Sequence, residues 1–136
     1  MQTIETARAE TRTLAIPAPP VAVLQVIADP LRLPEWAPAF ATSVAPDGDL
    51  WRVDTGAGEL VVDVQVHEEA GTVDIVRPGG DTTIGARMRA IGSGDGTELL
   101  FTILFPLGVD EPAVVAQMDV VEAELERIAE LAARGS

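Results

Sequence analysis

Residues 26–40, VIADPLRLPEWAPAF, place three prolines and a tryptophan directly after a short apolar segment. Pro30, Pro34 and Pro38 prevent a long helix, because proline cannot donate an intrahelical hydrogen bond and it restricts the residue before it. We therefore predict one or two helical turns that cross the open edge of a sheet. Trp36 is predicted to close one end of a cavity as a large, stiff apolar side chain. The alternative is that Trp36 packs in a completely filled core.

The sequence before this stretch predicts a strand and then a short helix. The segment that ends at Ile16 mixes apolar and charged residues, which is typical of an edge strand or a partly exposed strand. Pro19 and Pro20 suit the start of a helix, where the missing N–H group breaks no hydrogen bond. The helix then continues through VAVLQVIA, residues 21–28, until Asp29-Pro30 stops it.

The sequence after this stretch predicts an antiparallel meander. The turn sequences PDGD, GAGE, EEAG, RPGGD and GSGDG separate short runs of alternating polarity. In GELVVDVQVHEE, residues 58–69, and TTIGARMRAIG, residues 82–92, one side of each strand is apolar. The residues predicted to face inward are Leu60, Val62, Val64 and Val66 in the first run, and Ile84, Ala86, Met88 and Ala90 in the second.

The run TELLFTILFPLG, residues 97–108, is apolar on both sides. Leu99, Phe101, Ile103 and Phe105 share one face. Leu100 and Leu104 make the other face nearly as apolar. A strand of this kind is usually covered on both sides. The second cover is predicted to be a partner chain or a neighbouring element.

The last part of the chain predicts one long helix. Asp110 is a suitable N-cap, and Glu111 and Pro112 suit a first turn. The helix is predicted to continue to Arg134 and to be about 30 Å long, which is enough to cross a sheet. An apolar stripe follows the helical period at Val114, Met118, Val121, Leu125, Ile128 and Ala132. Glu122, Glu126 and Glu130 lie on a different face, which is predicted to be solvated.

The composition excludes several classes of function. The chain has 136 residues, no cysteine and a net charge of −13, so thiolate chemistry is excluded. Binding to nucleic acid or to an anionic membrane surface is not expected, because both rest on clustered lysine and arginine. No apolar run is long enough to span a membrane, and the N-terminus is too polar for a signal peptide. A cytoplasmic location is therefore expected.

The order of strand, two short helices, antiparallel strands and long C-terminal helix resembles the START and polyketide cyclase/dehydrase superfamily, also called SRPBCC. The most specific motif is VIADPLRLPEWAPAF, followed by DGDLWRV at residues 47–53. The resemblance implies an α+β helix-grip fold in one domain, residues 1–136. A curved antiparallel sheet of about six or seven strands would wrap around the long helix and leave an apolar cavity. The superfamily includes carriers, cyclases and hydrolases, so the fold alone leaves the function open.

The leading hypothesis is that the cavity binds a hydrophobic small molecule, such as a lipid, a polyketide or a similar metabolite. No cofactor and no metal ion are expected. The residues predicted to line the cavity are Trp36, Phe40, Trp51, Val62, Val64, Ile75, Met88, Phe101, Ile103, Met118, Val121 and Leu125.

The second hypothesis is a polyketide cyclase/dehydrase-like enzyme, for which Glu35 and Arg77 are the catalytic candidates. Glu35 could place a carboxylate at the mouth of the cavity, where burial would raise its pKa. Arg77 has the strand parity of Ile75, so it could point inward and contact a carboxylate or keto oxygen. The alternative for both is an exposed side chain. His67 is the single histidine, and alternation places it on the polar face, away from the cavity.

The third hypothesis is an interaction module without a ligand. Its core would be filled by its own side chains, and the face formed by Leu100 and Leu104 would make a homodimer.

Overall fold

The computed structural model describes residues 8–79 and 85–135. The first half of the chain contains strand β1 (Arg8–Ile16), helix α1 (Pro20–Ile27), a 3-10 turn (Pro30–Arg32), helix α2 (Leu33–Trp36) and strands β2 (Ser43–Asp47) and β3 (Leu50–Asp54). Strand β4 (Glu59–His67), a second 3-10 turn (Glu68–Ala70), strands β5 (Thr72–Val76), β6 (Gly85–Ser93) and β7 (Gly96–Phe105), and helix α3 (Glu111–Gly135) follow.

The seven strands form one curved antiparallel sheet in the order β1-β7-β6-β5-β4-β3-β2. Strands β2 to β7 form a meander. Strand β1 pairs with β7 and is the edge strand on that side of the sheet. The long α3 packs on this sheet, and α1 and α2 follow β1 as two short helices. The predicted α+β helix-grip fold is therefore confirmed, with seven strands.

The short segment between α1 and β2 is built by its prolines and by Asp29. The Leu31 N–H group donates a hydrogen bond to Asp29 Oδ1 at 3.0 Å, which caps the turn that begins at Pro30. Helix α2 is then only four residues long. The segment turns across the molecule and contacts α3, so it brings Trp36 against the long helix.

Helix α3 contacts the sheet through its apolar stripe and contacts β1 through charged side chains. All six predicted stripe residues are buried. On one flank of the helix, Arg8 forms an ion pair with Glu111, and Arg12 Nε lies 3.4 Å from Glu122 Oε1. The Ala113 N–H group donates to Asp110 Oδ1 at 3.1 Å, which confirms the predicted N-cap. The helix thus lies beside the β1 edge of the sheet.

The inward faces of the strands agree with the alternation in the sequence. In β4, Val62 is buried and the other three predicted positions are half-buried, whereas Gln65 and His67 are exposed. In β6, Met88 and Ala90 are buried, while Ile84 lies outside the described residues. Leu100 and Leu104 are half-buried on the side of β7 that points away from the core.

Two local contacts fix the ends of strands. Gly71 adopts a left-handed conformation with φ 70°, and a Cβ atom at this position would overlap the carbonyl oxygen of Ala90. The buried Thr97 hydroxyl donates to the carbonyl oxygen of Ala18 at 2.7 Å. This bond joins the beginning of β7 to the loop between β1 and α1.

Candidate functional site

A cavity of about 370 Å³ lies between α2, three strands and one side of α3. Its wall is mostly apolar, and its exposed members are Ala39 and Gln117. We therefore place the mouth of the cavity at these two residues. The lining residues are Leu33, Trp36, Ala37, Ala39, Phe40, Ile75, Ala86, Phe101, Ile103, Gln117, Val120 and Glu124.

The sheet contributes one row of side chains across three neighbouring strands. Ile75 pairs with Ala86, and Ala86 pairs with Ile103, so β5, β6 and β7 each supply one residue of this row, and β7 also supplies Phe101 to the wall. The small Ala86 stands at the centre of this row, between two isoleucines. The space above Ala86 therefore results from the small side chain of this residue as well as from the fold.

Trp36 forms the end of the cavity and is also part of the core. Its side chain is only 1% exposed, and its ring meets Phe101 edge-on with 6.1 Å between centroids. Both residues line the cavity. The Trp36 ring therefore packs against Phe101 and also borders the cavity, so the core around it is not completely filled.

The face of α3 that lines the cavity differs from the predicted one. Gln117, Val120 and Glu124 supply this wall. Met118 and Val121, which were predicted to line the cavity, are buried in the core, as is Leu125. The cavity-lining face lies roughly a quarter turn around the helix from the apolar stripe. The stripe is occupied by contacts with the sheet and the short helices, so it leaves no room for a ligand.

Five of the twelve residues predicted to line the cavity do so: Trp36, Phe40, Ile75, Phe101 and Ile103. Besides the three α3 residues, the structure places Val62 and Met88 in the core, and Trp51 and Val64 are half-buried against it. Met88 lies in the row next to Ala86 and pairs with Phe101. Trp51, Val62 and Val64 belong to β3 and β4, which lie beyond β5 in the strand order.

The two catalytic candidates from the sequence lie outside the cavity. Glu35 is exposed, and its Oε2 atom lies 3.1 Å from Arg32 Nε. Arg77 is exposed immediately after the end of β5. Glu35 points outward because Trp36, the next residue on the single turn of α2, occupies the inward position. The exposed His67 likewise has no access to the cavity.

Glu124 is the one ionisable residue among those that line the cavity. It is 5% exposed, and burial raises the pKa of its carboxyl group from 4.5 to about 7, while the charge of Arg127 acts in the opposite direction. A carboxyl group with this pKa can hold or release a proton near neutral pH. Within residues 8–79 and 85–135, no group of histidine, cysteine and acidic residues could hold a metal ion.

The Trp36 indole nitrogen is a buried polar group without a partner. Nε1 is buried and makes no hydrogen bond within the described part of the chain. Burial of an unpaired N–H group is unfavourable, so such groups are uncommon in proteins. The Trp36 ring lines the cavity, but its Nε1 atom is inaccessible, so the N–H group does not face the cavity.

Sequence reasoning missed Glu124 and Gln117, although the sequence carried a signal for the first. On a helical wheel, Glu124 lies between Val120 and Ile128, inside the apolar half of α3. A single acidic residue in that position indicates a buried carboxyl group. Gln117 lies beside Glu124 on the same wheel, but an uncharged polar residue near the start of the helix gives no such signal.

Comparisons with solved structures identify the fold. The ZhuI aromatase/cyclase from Streptomyces superposes with a TM-score of 0.71 at 16% identity, over 93% of this chain and 94% of that chain. Ara h 8.0201 gives a TM-score of 0.67 at 12% identity, over 94% and 99%. An uncharacterized protein from Bacillus thuringiensis gives 0.71 at 15% identity, over 90% and 97%. No family model and no curated protein sequence matches the chain.

The chain shares the helix-grip fold of these solved structures. The resemblance found in the sequence is thereby confirmed at the level of the fold. In this helix-grip protein the grip is asymmetric, because α3 contacts β1 on one flank and leaves the cavity on the other. Among the described residues, no helix is long and apolar enough to cross a membrane.

Proposed function

We propose that this protein binds a compact apolar molecule in the cavity between α2, α3 and strands β5 to β7. The observation that carries the proposal is the cavity itself, whose wall is apolar except for a few polar groups. Ligand-binding pockets typically have this combination of an apolar wall and few polar groups. The neighbours in structure comparisons support the proposal, since they include an aromatase/cyclase.

The size of the cavity favours a compact ligand. A volume of about 370 Å³ lies near the lower end of the range for small-molecule pockets, roughly 300 to 1,000 Å³. A ligand that buries about 250 Å² of apolar surface gains about 6 kcal/mol at about 25 cal/mol per Å². Association costs at least about 4 kcal/mol, so apolar contact alone gives weak binding. A polar contact inside the cavity would therefore contribute a large part of the net affinity.

The enzyme hypothesis is a second candidate, and Glu124 is the observation that favours it. Glu35 and Arg77 do not reach the cavity, so neither supports a catalytic role there. Glu124 does reach it and has a pKa suited to proton transfer near neutral pH. An enzyme built on this cavity would use Glu124 as its general acid or base.

The interaction-module hypothesis has less support. It requires a filled interior, whereas the described residues leave an open cavity between α2, α3 and the sheet. Self-association through Leu100 and Leu104 stays a prediction. Both side chains are half-buried on the sheet face that points away from the core.

The proposal is tested by filling the cavity. Ala86→Phe should place a ring in the space between Ile75 and Ile103 and weaken binding of 2-ethylnaphthalene by about tenfold or more, because the ring displaces the ligand from the apolar wall. Isothermal titration calorimetry measures the affinity. Ala45→Phe, the same change at an exposed position on β2, is the matched control and should bind like the wild type.

Circular dichroism should show that both variants keep the fold. Equal affinity of folded Ala86→Phe and the wild type would contradict the proposed location. Failure of the wild type to bind the probe would contradict the proposed function.

A further inference from the structure

We propose that the cavity selects apolar molecules that carry a hydrogen-bond-accepting oxygen, such as aryl ketones and quinones, and that Glu124 donates the hydrogen bond to this oxygen. The inference rests on the proposed function, because it names the class of ligand that the same cavity takes.

The first argument is the position of Glu124. It belongs to the inner wall of the cavity, on the α3 face that it shares with Val120 and Gln117. Within the described residues, no hydrogen bond or ion pair satisfies its carboxyl group. A buried polar group without a partner is costly, and a ligand atom in the cavity would supply the missing partner.

The second argument is the charge around Glu124. The lining residues from α2, residues 37–40, β5, β6 and β7 are all uncharged. The charged group that acts on Glu124 is Arg127, an exposed residue one turn further along α3. Burial raises the pKa of the carboxyl group to about 7, and the charge of Arg127 acts in the opposite direction. At and below neutral pH, a large fraction of Glu124 is therefore protonated, and a protonated carboxyl group is a hydrogen-bond donor.

A cationic amine is the alternative ligand for a buried carboxyl group. It would form an ion pair with ionised Glu124, at the cost of removing both charges from water. We therefore favour the oxygen acceptor over the amine.

Three probes of the same size distinguish these ligands: 2-acetylnaphthalene carries a ketone, 2-ethylnaphthalene has no polar group, and 1-(2-naphthyl)ethylamine is a cation. Isothermal titration calorimetry at about pH 6 should show the ketone binding about five- to tenfold more tightly than the hydrocarbon, the usual net effect of one hydrogen bond. The preference should disappear as the pH is raised to about 8.5, because ionised Glu124 can no longer donate.

Three variants separate the role of the proton from the role of the shape. Glu124→Gln keeps an N–H donor that does not titrate, so the ketone should keep its advantage at all pH values. Glu124→Leu removes the donor, so the ketone should bind only as well as the hydrocarbon. Glu126→Gln removes an exposed carboxylate from the same helix and should behave like the wild type.

The outcomes separate this inference from the proposed function. If the hydrocarbon binds as tightly as the ketone in the wild type, the cavity binds apolar molecules but this inference is overturned. If the amine binds most tightly and its affinity rises with pH, the inference is overturned in favour of an ion pair. If no probe binds, the proposed function fails, and this inference fails with it.

Discussion

Replacement of Glu124 by glutamine should stabilise the protein at alkaline pH and have little effect at acidic pH. Burial raises the pKa of this carboxyl group from 4.5 to about 7, so the folded state holds its proton more tightly than the unfolded chain does. The favourable contribution of the protonated group is complete below about pH 4.5 and is lost as the pH rises to about 7. A pKa difference of this size corresponds to about 3 kcal/mol at higher pH.

Urea denaturation, followed by far-ultraviolet circular dichroism, measures this effect as the difference in free energy of unfolding between Glu124→Gln and the wild type. Measurements from about pH 5 upward avoid the sequence pI of about 4.2, where a protein without net charge tends to precipitate. The difference should change by about 2 to 3 kcal/mol in favour of the variant between about pH 5 and pH 8.

Glu126→Gln, an exposed position on the same helix, is the control for loss of one negative charge. The difference in free energy of unfolding between Glu126→Gln and the wild type should vary little over the same pH range. If the Glu124→Gln difference is independent of pH, the carboxyl group is not buried in the way described, and the reasoning about the cavity wall is refuted.

Two further changes test the contacts that fix the ends of the strands, both by urea denaturation. Gly71→Ala should lower the free energy of unfolding by about 3 kcal/mol or more for two reasons. The added Cβ would overlap the Ala90 carbonyl oxygen, and alanine is strained at the left-handed φ of this position. Gly94→Ala, also left-handed but with open space around it, should cost only about 1 kcal/mol, and equal losses would contradict the steric argument. Thr97→Val should cost about 1 to 2 kcal/mol, because the carbonyl oxygen of Ala18 loses its buried donor. A loss below about 0.5 kcal/mol would show that the bond is replaced by water.

The fold could be predicted from the sequence because its strongest signals are local. The spacing of Val114, Met118 and Val121 follows the helical period, and it predicted the buried side of α3 correctly. The prolines between residues 30 and 38 determined where the short helices end. Both features depend on residues that are close to each other in the sequence, within one or two helical turns.

The cavity could be predicted only in part because its position depends on tertiary geometry. The same apolar stripe that identified α3 was expected to face a ligand, whereas it is fully used in packing. Which inward residue lines the space depends on how the helix lies across the sheet. The row of Ile75, Ala86 and Ile103 likewise depends on the register of three strands. A single sequence does not encode these relations as a local pattern.

The apolar stripe and the cavity-lining face of α3 are a quarter turn apart, and this separation affects how the protein can evolve. One helix carries the stripe that packs in the core and, separately, the positions 117, 120 and 124 that line the cavity. A mutational library restricted to those three positions could therefore alter guest preference without disturbing the scaffold. The residues that line the cavity can then change while the residues of the apolar stripe are kept, although both sets belong to the same helix.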